Sequence, residues 1–187
     1  MNELVELNEL VSRQGPTLIA MVGPPGAGKT SWRRRVPQIP VVSLDACRRI
    51  ASPYRDEADQ TPSTTEQALE LAVHTTRELL SARMAMVWDA TNCRRAHRNI
   101  LLSLAAEHHA TTAAVVVHPA LQTCLDRNAT RPATPGPCGY ARRVPEAVIA
   151  DMHASLTADL PALAGEGWDL LIHVDDTAWP PPGPVRS

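Results

Sequence analysis

The sequence predicts an α/β protein with a parallel sheet of four to five strands and helices on both faces. Short apolar or β-prone segments alternate along the chain with longer segments that have helical periodicity. Of the 187 residues, 44% are hydrophobic and 20% are charged, which is typical of globular proteins. This length is close to that of one domain with a substantial core, so we expect residues 1–187 to form a single domain.

Residues 1–14 are predicted to form an amphipathic helix at the start of the chain. Leu4, Leu7 and either Leu10 or Val11 recur at helical spacing, so they would share one face. The segment is acidic and has neither the basic start nor the long apolar run of a signal peptide. We therefore expect the protein to remain in the cytoplasm.

Five short segments are predicted to be strands of the sheet. The first is continuously apolar and bounded by glycine, as in a strand buried on both faces. The second and third each end directly before an aspartate. The predicted strands are residues 17–22, 40–44, 84–88, 111–117 and 169–174.

Two long segments between these strands are predicted to be helices. Residues 64–83 carry apolar side chains at three- and four-residue spacings, and residues 63–66 match a capping box. Residues 95–109 repeat the apolar pattern. Because strands alternate with helices, the strands are expected to run parallel.

Residues 131–139 depart from this pattern, because they contain three Pro and two Gly. We expect an irregular surface loop there, within a lid region at residues 120–160. The Pro-rich residues 178–187 are expected to form a flexible tail.

Composition excludes several classes of function. With two Tyr, four Trp and no Phe, the chain lacks the aromatic residues of a base-stacking RNA-binding sheet. Its net charge of −2 gives no global attraction to nucleic acid or to an anionic membrane. The longest apolar runs are far shorter than the roughly 18 residues that a membrane span requires, so we expect no membrane partner. The cysteines, Cys47, Cys93, Cys124 and Cys138, form no CxxC pair, which favours reduced thiols over disulfides or a zinc site.

The first predicted strand runs directly into a phosphate-binding motif. Residues 23–30 read Gly-Pro-Pro-Gly-Ala-Gly-Lys-Thr, which fits G-x-x-x-x-G-K-[ST], and a helix is expected to follow. In such a P-loop, backbone N–H groups and the helix N-terminus bind phosphate. Lys29, the only lysine among 18 cationic residues, would reach the outer phosphates, and Thr30 could place its hydroxyl on Mg²⁺. The predicted nucleotide-binding residues are Gly23, Gly26, Ala27, Gly28, Lys29 and Thr30.

Asp45 and Asp89 follow the second and third predicted strands, where a parallel sheet presents residues to a ligand. Asp45 could accept the proton of an incoming hydroxyl and orient its oxygen for in-line attack. Asp89 could hold Mg²⁺ through water, or fix Arg48 against the acceptor. Either aspartate could instead cap a helix, or Asp45 could do both.

Arginines cluster near the same predicted strand ends and around the irregular loop. A local cationic site of this kind would suit polyphosphate or a phosphorylated acceptor. Arg127 and Arg131 lie four residues apart, so on a helix they would share a face and could clamp transferring phosphate oxygens as a lid closes. Arg33, Arg34 and Arg35 are interpreted as a solvated helix face. The clustered arginines are Arg33 to Arg35, Arg48, Arg49, Arg94, Arg95, Arg98, Arg127, Arg131, Arg142 and Arg143.

Five motifs in this order resemble the P-loop 5′-hydroxyl polynucleotide kinase family, especially the kinase module of bacterial polynucleotide kinase-phosphatases. The resemblance extends from residue 17 to about residue 175. The motifs are residues 23–30, 43–48, 87–92, 124–132 and 143–149.

The resemblance implies an ATP- and Mg²⁺-dependent kinase with an Arg-bearing lid. Asp45 would be the general base, and Lys29 and Thr30 would bind phosphates and Mg²⁺. Arg127 and Arg131 would contact the ATP phosphates, so Lys29, Asp45, Arg127 and Arg131 are the predicted catalytic residues. Arg48 would contact the acceptor strand, and we group Asp89 and Asn92 with it as substrate-binding.

Two features differ from those relatives. The relatives are usually fused to phosphatase and ligase modules, which this sequence lacks, so we expect end repair by this protein alone to be incomplete. Eleven residues separate Pro132 from Val144, where the relatives have a much shorter link. A longer lid suggests a remodelled acceptor site.

Three functions follow from these observations. The first is transfer of the γ-phosphoryl group of ATP to the 5′-hydroxyl end of DNA or RNA. The second is a kinase of the same fold that acts on a small hydroxylated molecule, such as a nucleoside, a sugar nucleotide or an antibiotic. The third is a non-catalytic nucleotide-binding switch, which would have no need of a base at Asp45.

Overall fold

The sheet has five parallel strands in the order β2-β3-β1-β4-β5. The computed structural model describes residues 3–12, 15–51, 62–131 and 143–174. The strands are β1 (Thr17–Val22), β2 (Val41–Ser43), β3 (Ala85–Asp89), β4 (Thr111–Val117) and β5 (Leu170–Val174). The predicted parallel α/β sheet is therefore confirmed, and β1 lies at its centre.

Helices connect the strands in the described part of the chain. They are α1 (Glu3–Ser12), α2 (Lys29–Arg33), α3 (Leu44–Ala51), α4 (Pro62–Ser81), α5 (Arg95–Glu107), α6 (Leu121–Ala129) and α7 (Glu146–Asp159), with a 3₁₀ helix at Leu160–Gly165. Among these, none is long and apolar enough to cross a membrane.

Helices pack on both faces of the sheet because the side chains of β1 alternate between two cores. Ile19 and Met21 pack with residues of α1, α2, α6 and α7. Leu18 and Ala20 pack with residues of α3, α4 and α5 on the opposite face. All six residues of β1 are buried, which explains why its sequence is continuously apolar. Burial of each large aliphatic side chain contributes about 1.5–3 kcal/mol.

Most predicted boundaries agree with the structure to within two residues. β1 and β4 have the predicted limits, whereas the second strand is shorter than residues 40–44 because α3 begins at Leu44. The predicted capping box at residues 63–66 is wrong, since α4 already includes Pro62. The irregular loop at 131–139, apart from Arg131, and the tail at 178–187 lie outside the described residues.

The sheet places three connections at the same edge. Because the strands are parallel, their carboxyl ends meet there. The P-loop follows β1, α3 begins directly after β2, and Asp89 ends β3. Residues far apart in sequence are thereby brought to one side of the sheet.

Candidate active site

The P-loop packs closely against the end of β4 and against Cys124 in α6. A Cβ atom at Gly23 would lie 2.3 Å from the Val117 carbonyl oxygen, and one at Gly26 would lie 2.2 Å from the Cys124 carbonyl oxygen. Gly26 also has a φ of 83°, which favours glycine. The two glycines are thus required for the shape of the loop before any ligand binds.

The Lys29 ammonium folds back onto this loop. Its Nζ donates hydrogen bonds to the carbonyl oxygens of Gly23, at 2.7 Å, and Pro24, at 3.0 Å. Burial lowers the pKa of Lys29, while the carboxylates of Asp89 and Asp45 act in the opposite direction. A desolvated cation at the first turn of α2 is suited to a phosphate oxygen, which would replace the two carbonyls.

Asp45 and Arg48 form an ion pair on α3. The Nη1 atom of Arg48 donates to Oδ1 of Asp45 at 2.6 Å. The Asp45 side chain is 51% exposed, so a substrate hydroxyl could reach its carboxylate. Arg48 is more deeply buried, and its Nε has no hydrogen-bond partner among the described residues.

Asp89 pairs with Arg33 of the P-loop helix. Arg33 Nε lies 3.5 Å from Asp89 Oδ2, and both side chains are mostly buried. Burial raises the pKa of Asp89, while the cations Lys29 and Arg33 lower it. The prediction that Arg33 belongs to a solvated face is therefore wrong, although Arg34 and Arg35 are exposed. Arg48 pairs with Asp45 and not with Asp89.

Asn92 has a structural contact that the sequence did not reveal. Its side-chain amide donates to the carbonyl oxygen of Met21 at 2.7 Å, and the residue is only 3% exposed. Its φ of 47° marks a tight turn after β3. This position corrects the expectation that Asn92 faces a substrate.

Arg127 and Arg131 approach the P-loop from α6. Nη1 of Arg127 donates to the Ala27 carbonyl oxygen at 3.1 Å, so Arg127 braces the loop. The two arginines were expected on one helix, but α6 ends at Ala129 and Arg131 lies in the turn that follows. Burial lowers the pKa of Arg131, and the Asp45 carboxylate raises it. Arg131 thus interacts electrostatically with Asp45 of α3 and with Lys29 of the P-loop.

The donor set fits a magnesium–nucleotide complex. Thr30 exposes its side chain in the first turn of α2, next to Lys29. Asp89 supplies a carboxylate that interacts with Lys29. Hydroxyl, carboxylate and phosphate oxygens are the ligands that Mg²⁺ prefers. Thr30, with Asp89 acting through water, would hold the ion.

Arg98 is the main feature that sequence analysis misinterpreted. It was grouped with the arginines of a local cationic site for phosphate, yet it is fully buried and paired with Glu166 and Asp159. Burial alone would lower the pKa of Arg98, but hydrogen bonds to these two carboxylates raise it above its usual value. The residue therefore adds nothing to a surface charge.

A protein-family comparison matches most of the chain. The model of the family described as AAA domain matches residues 18–158. The match includes the P-loop, Asp45, Asp89 and both arginines of the α6 region. A comparison with curated proteins gives no match.

Solved structures show the same fold at low sequence identity. A chain of the Pnkp1/Rnl/Hen1 RNA repair complex is 19% identical with a TM-score of 0.67, covering 81% of this chain and 47% of that one. An AvrRxo1-ORF1:-ORF2 complex with ATP gives 17% identity and a TM-score of 0.64, covering 85% and 53%. A gluconokinase from Sinorhizobium meliloti gives 18% identity and a TM-score of 0.55, covering 90% and 86%. The protein spans about half the length of the first two chains.

The structural likenesses establish a fold that is shared with a chain of an RNA repair complex and with a gluconokinase. The family model covers more than half of the chain. The protein therefore belongs to the AAA domain family and has a P-loop kinase fold.

Proposed function

We propose that the protein is an ATP- and Mg²⁺-dependent kinase that transfers the γ-phosphoryl group to the 5′-hydroxyl of a polynucleotide. The observation that carries the proposal is the position of Asp45 among the cations of the phosphate site. Asp45 interacts electrostatically with Lys29 and Arg131, and it pairs directly with Arg48. A carboxylate that belonged only to a nucleotide-binding switch would not need this position.

The P-loop supplies the donor side of the reaction. Its backbone amides and Lys29 would bind the β- and γ-phosphates, and Arg131, which interacts electrostatically with Lys29 and Asp45, would bind the same phosphates. Mg²⁺, when bound, would neutralise developing charge on the phosphate oxygens. Fixed cations of this kind stabilise the transition state because they are already oriented when charge moves to the leaving group.

Asp45 supplies the acceptor side of the reaction. Its carboxylate would accept the proton of the attacking hydroxyl, whose oxygen forms a bond to the γ-phosphorus. The bond from that phosphorus to the bridging oxygen breaks, and its electron pair leaves with ADP. The hydrogen bond from Arg48, at 2.6 Å, would orient Asp45 for this step.

A polynucleotide acceptor is favoured by the arginine beside the base. The Arg48 side chain is 16% exposed, and Asp45 occupies only one of its terminal nitrogens at 2.6 Å. A phosphate one nucleotide beyond the reacting 5′ end could therefore bind the exposed part of this guanidinium. The similarity to a chain of an RNA repair complex supports the same class of acceptor.

A small hydroxylated acceptor is the second candidate. It is favoured by the similarity to a gluconokinase over 90% of this chain. The net charge of −2 also gives no general attraction to nucleic acid. In this case Arg48 would orient Asp45 without binding a strand.

The deciding experiment is a transfer assay with γ-labelled ATP and a panel of acceptors. The panel contains 5′-hydroxyl oligonucleotides of DNA and RNA, nucleoside 3′-monophosphates, nucleosides and gluconate. We expect oligonucleotides to be the best acceptors, with 5′-phosphorylated oligonucleotides as the inactive control. A nucleoside or sugar that exceeds every oligonucleotide would contradict the proposal in favour of the second candidate. ATP binding without transfer to any acceptor would favour the switch.

A further inference from the structure

Arg98 uses all of its guanidinium N–H donors inside the protein. Its Nε and Nη2 donate to the two carboxylate oxygens of Glu166, at 2.8 and 2.6 Å. Nη2 also donates to Asp159 at 2.8 Å. Nη1 donates to two backbone carbonyls, those of Asn92 at 3.0 Å and Cys93 at 2.9 Å. A fully buried arginine with this complete set of partners has one defined position.

The two carbonyls belong to the 91–93 loop, which supports the start of the P-loop. The Gly23 N–H donates to the Thr91 carbonyl oxygen at 2.8 Å. The Asn92 side chain donates to Met21, the residue two positions before Gly23, at 2.7 Å. The 91–93 loop therefore fixes the backbone on which the phosphate-binding turn is built.

The turn in this loop includes a residue in an uncommon backbone conformation. Asn92 has a φ of 47°, in the left-handed region that costs free energy for residues other than glycine. Arg98 donates to the carbonyl oxygens of two consecutive peptide bonds, Asn92–Cys93 and Cys93–Arg94. Its carboxylate partners lie on the far side, Asp159 at the end of α7 and Glu166 after the 3₁₀ helix.

We propose that Arg98 is a positioning residue for nucleotide binding, which presets the P-loop through the 91–93 loop. The inference rests on the nucleotide-binding half of the proposed function and not on the identity of the acceptor. Without the hydrogen bonds from Arg98, the 91–93 loop populates other conformations. Only a fraction of the molecules then has the P-loop conformation that binds ATP. The apparent dissociation constant rises in inverse proportion to that fraction.

Arg98→Lys tests this inference. Lysine keeps the positive charge opposite Glu166 and Asp159, but it cannot hold both carboxylates and both carbonyls with one ammonium group. We expect the dissociation constant for Mg–ATP, measured by calorimetry well below the melting temperature, to rise about tenfold. The matched control is Arg77→Lys, because Arg77 also makes two bonds to a glutamate, Glu107, but lies on α4 at the surface. We expect less than a twofold change for it.

A second readout reports the loop directly and requires no ligand. Cys93 is only 2% exposed, and its own carbonyl oxygen accepts a hydrogen bond from Arg98. We expect alkylation of Cys93 by iodoacetamide, followed by peptide mass spectrometry, to accelerate at least tenfold in Arg98→Lys. Cys47, which is buried in a separate core cluster with residues of α4, is the internal reference for global unfolding.

The outcomes separate positioning from simple stabilisation. A lower melting temperature with unchanged ATP affinity and unchanged Cys93 reactivity would overturn the inference, as would equal acceleration at Cys93 and Cys47. If Arg98→Lys does not fold, Glu166→Gln is measured by the same two readouts, with a smaller change in the same direction expected. Wild-type protein that binds ATP but phosphorylates no acceptor would refute the proposed function alone. Wild-type protein that does not bind ATP would refute both.

Discussion

The Arg48 guanidinium lies 2.6 Å from the Asp45 carboxylate, one turn away on α3. Because α3 begins immediately after β2, the helix presents both side chains at the carboxyl edge of the sheet. Asp45 is half exposed, and ion pairs that face solvent contribute only about 0–1 kcal/mol, so an incoming phosphate can share the arginine without a large loss of stability. The proposed base is thus held by a contact that a substrate can share.

Asp45→Asn is expected to lower turnover by roughly 10²-fold or more, the size of effect of a lost general base. Asparagine retains the shape of the side chain and an oxygen for Arg48, so the dissociation constant for ATP should stay within about threefold. Steady-state kinetics and calorimetry check the two expectations. Asp126→Asn, at an exposed position on α6, is the matched control. A collapse of ATP binding in a folded Asp45→Asn protein would assign Asp45 to the metal site instead.

Lys29→Ala is expected to abolish phosphoryl transfer, because loss of a phosphate-facing cation removes several kcal/mol of transition-state stabilisation. The hydrogen bonds of Lys29 to Gly23 and Pro24 show that the ammonium already lies over the loop. ATP should no longer raise the melting temperature of the variant. Thermal melts with and without Mg–ATP provide the measurement. Near-normal turnover would refute the role assigned to the P-loop.

Arg131→Lys is expected to be nearly as damaging to turnover as Arg131→Ala. A planar guanidinium can bind two phosphate oxygens at once, and a point charge cannot replace it. Arg77→Lys, on the surface of α4, controls for the general effect of the exchange. Initial rates at saturating ATP decide the matter, and full activity of Arg131→Lys would place this guanidinium outside the reaction.

Acceptor affinity is expected to fall steeply with salt if the acceptor is a polynucleotide. Two to three phosphate contacts on a single strand give a slope of log affinity against log salt of about −1.4 to −2. Arg48→Ala should reduce the slope and also the benefit of lengthening the acceptor. Competition binding at several salt concentrations measures both. A slope near zero would indicate an uncharged small acceptor.

Stability is expected to fall at alkaline pH through Cys93. Burial raises the pKa of this thiol from 9.0 to about 11, so the folded state binds more protons than the unfolded state between these values. The free energy of unfolding therefore decreases as pH rises through this window, by about 1 kcal/mol at pH 10. Cys93→Ala should lose this part of the pH dependence. Urea denaturation of both proteins at pH 8 and pH 10 measures the difference. An equal decrease in the free energy of unfolding of both proteins between these pH values would contradict the prediction.

The sheet was predictable because burial on two faces leaves a clear trace in the sequence. The continuous apolar run of β1 is one such trace. The P-loop motif that follows it identifies the carboxyl end of β1 as the edge of the sheet that carries the phosphate site. The boundary of α3 was less clear, because a three-residue strand that passes directly into a helix has no separating glycine or proline. Asp45 was therefore placed at the correct edge but not on its helix.

The pairing of charges was not predictable from residue type. Arg33, Arg48 and Arg98 are chemically identical, and each lies near a predicted strand end. In the structure they pair with Asp89, Asp45 and Glu166 respectively, and only the first two lie near the P-loop charges. Arg98 is the buried one because it pairs with Glu166, which lies 68 residues further along the chain. The spacing of residues near Arg98 gives no sign of such a distant partner.

The close fit of Gly26 against Cys124 links the P-loop mechanically to α6. The loop cannot shift toward the helix without meeting its backbone, and Arg127 ties the two together through the Ala27 carbonyl. A side chain introduced at Gly26 would consequently displace α6 as well as the loop. Such a substitution would disturb Arg127 and, two residues beyond the helix, Arg131, so a single added methyl group would impair both the phosphate-binding turn and the arginines beside it.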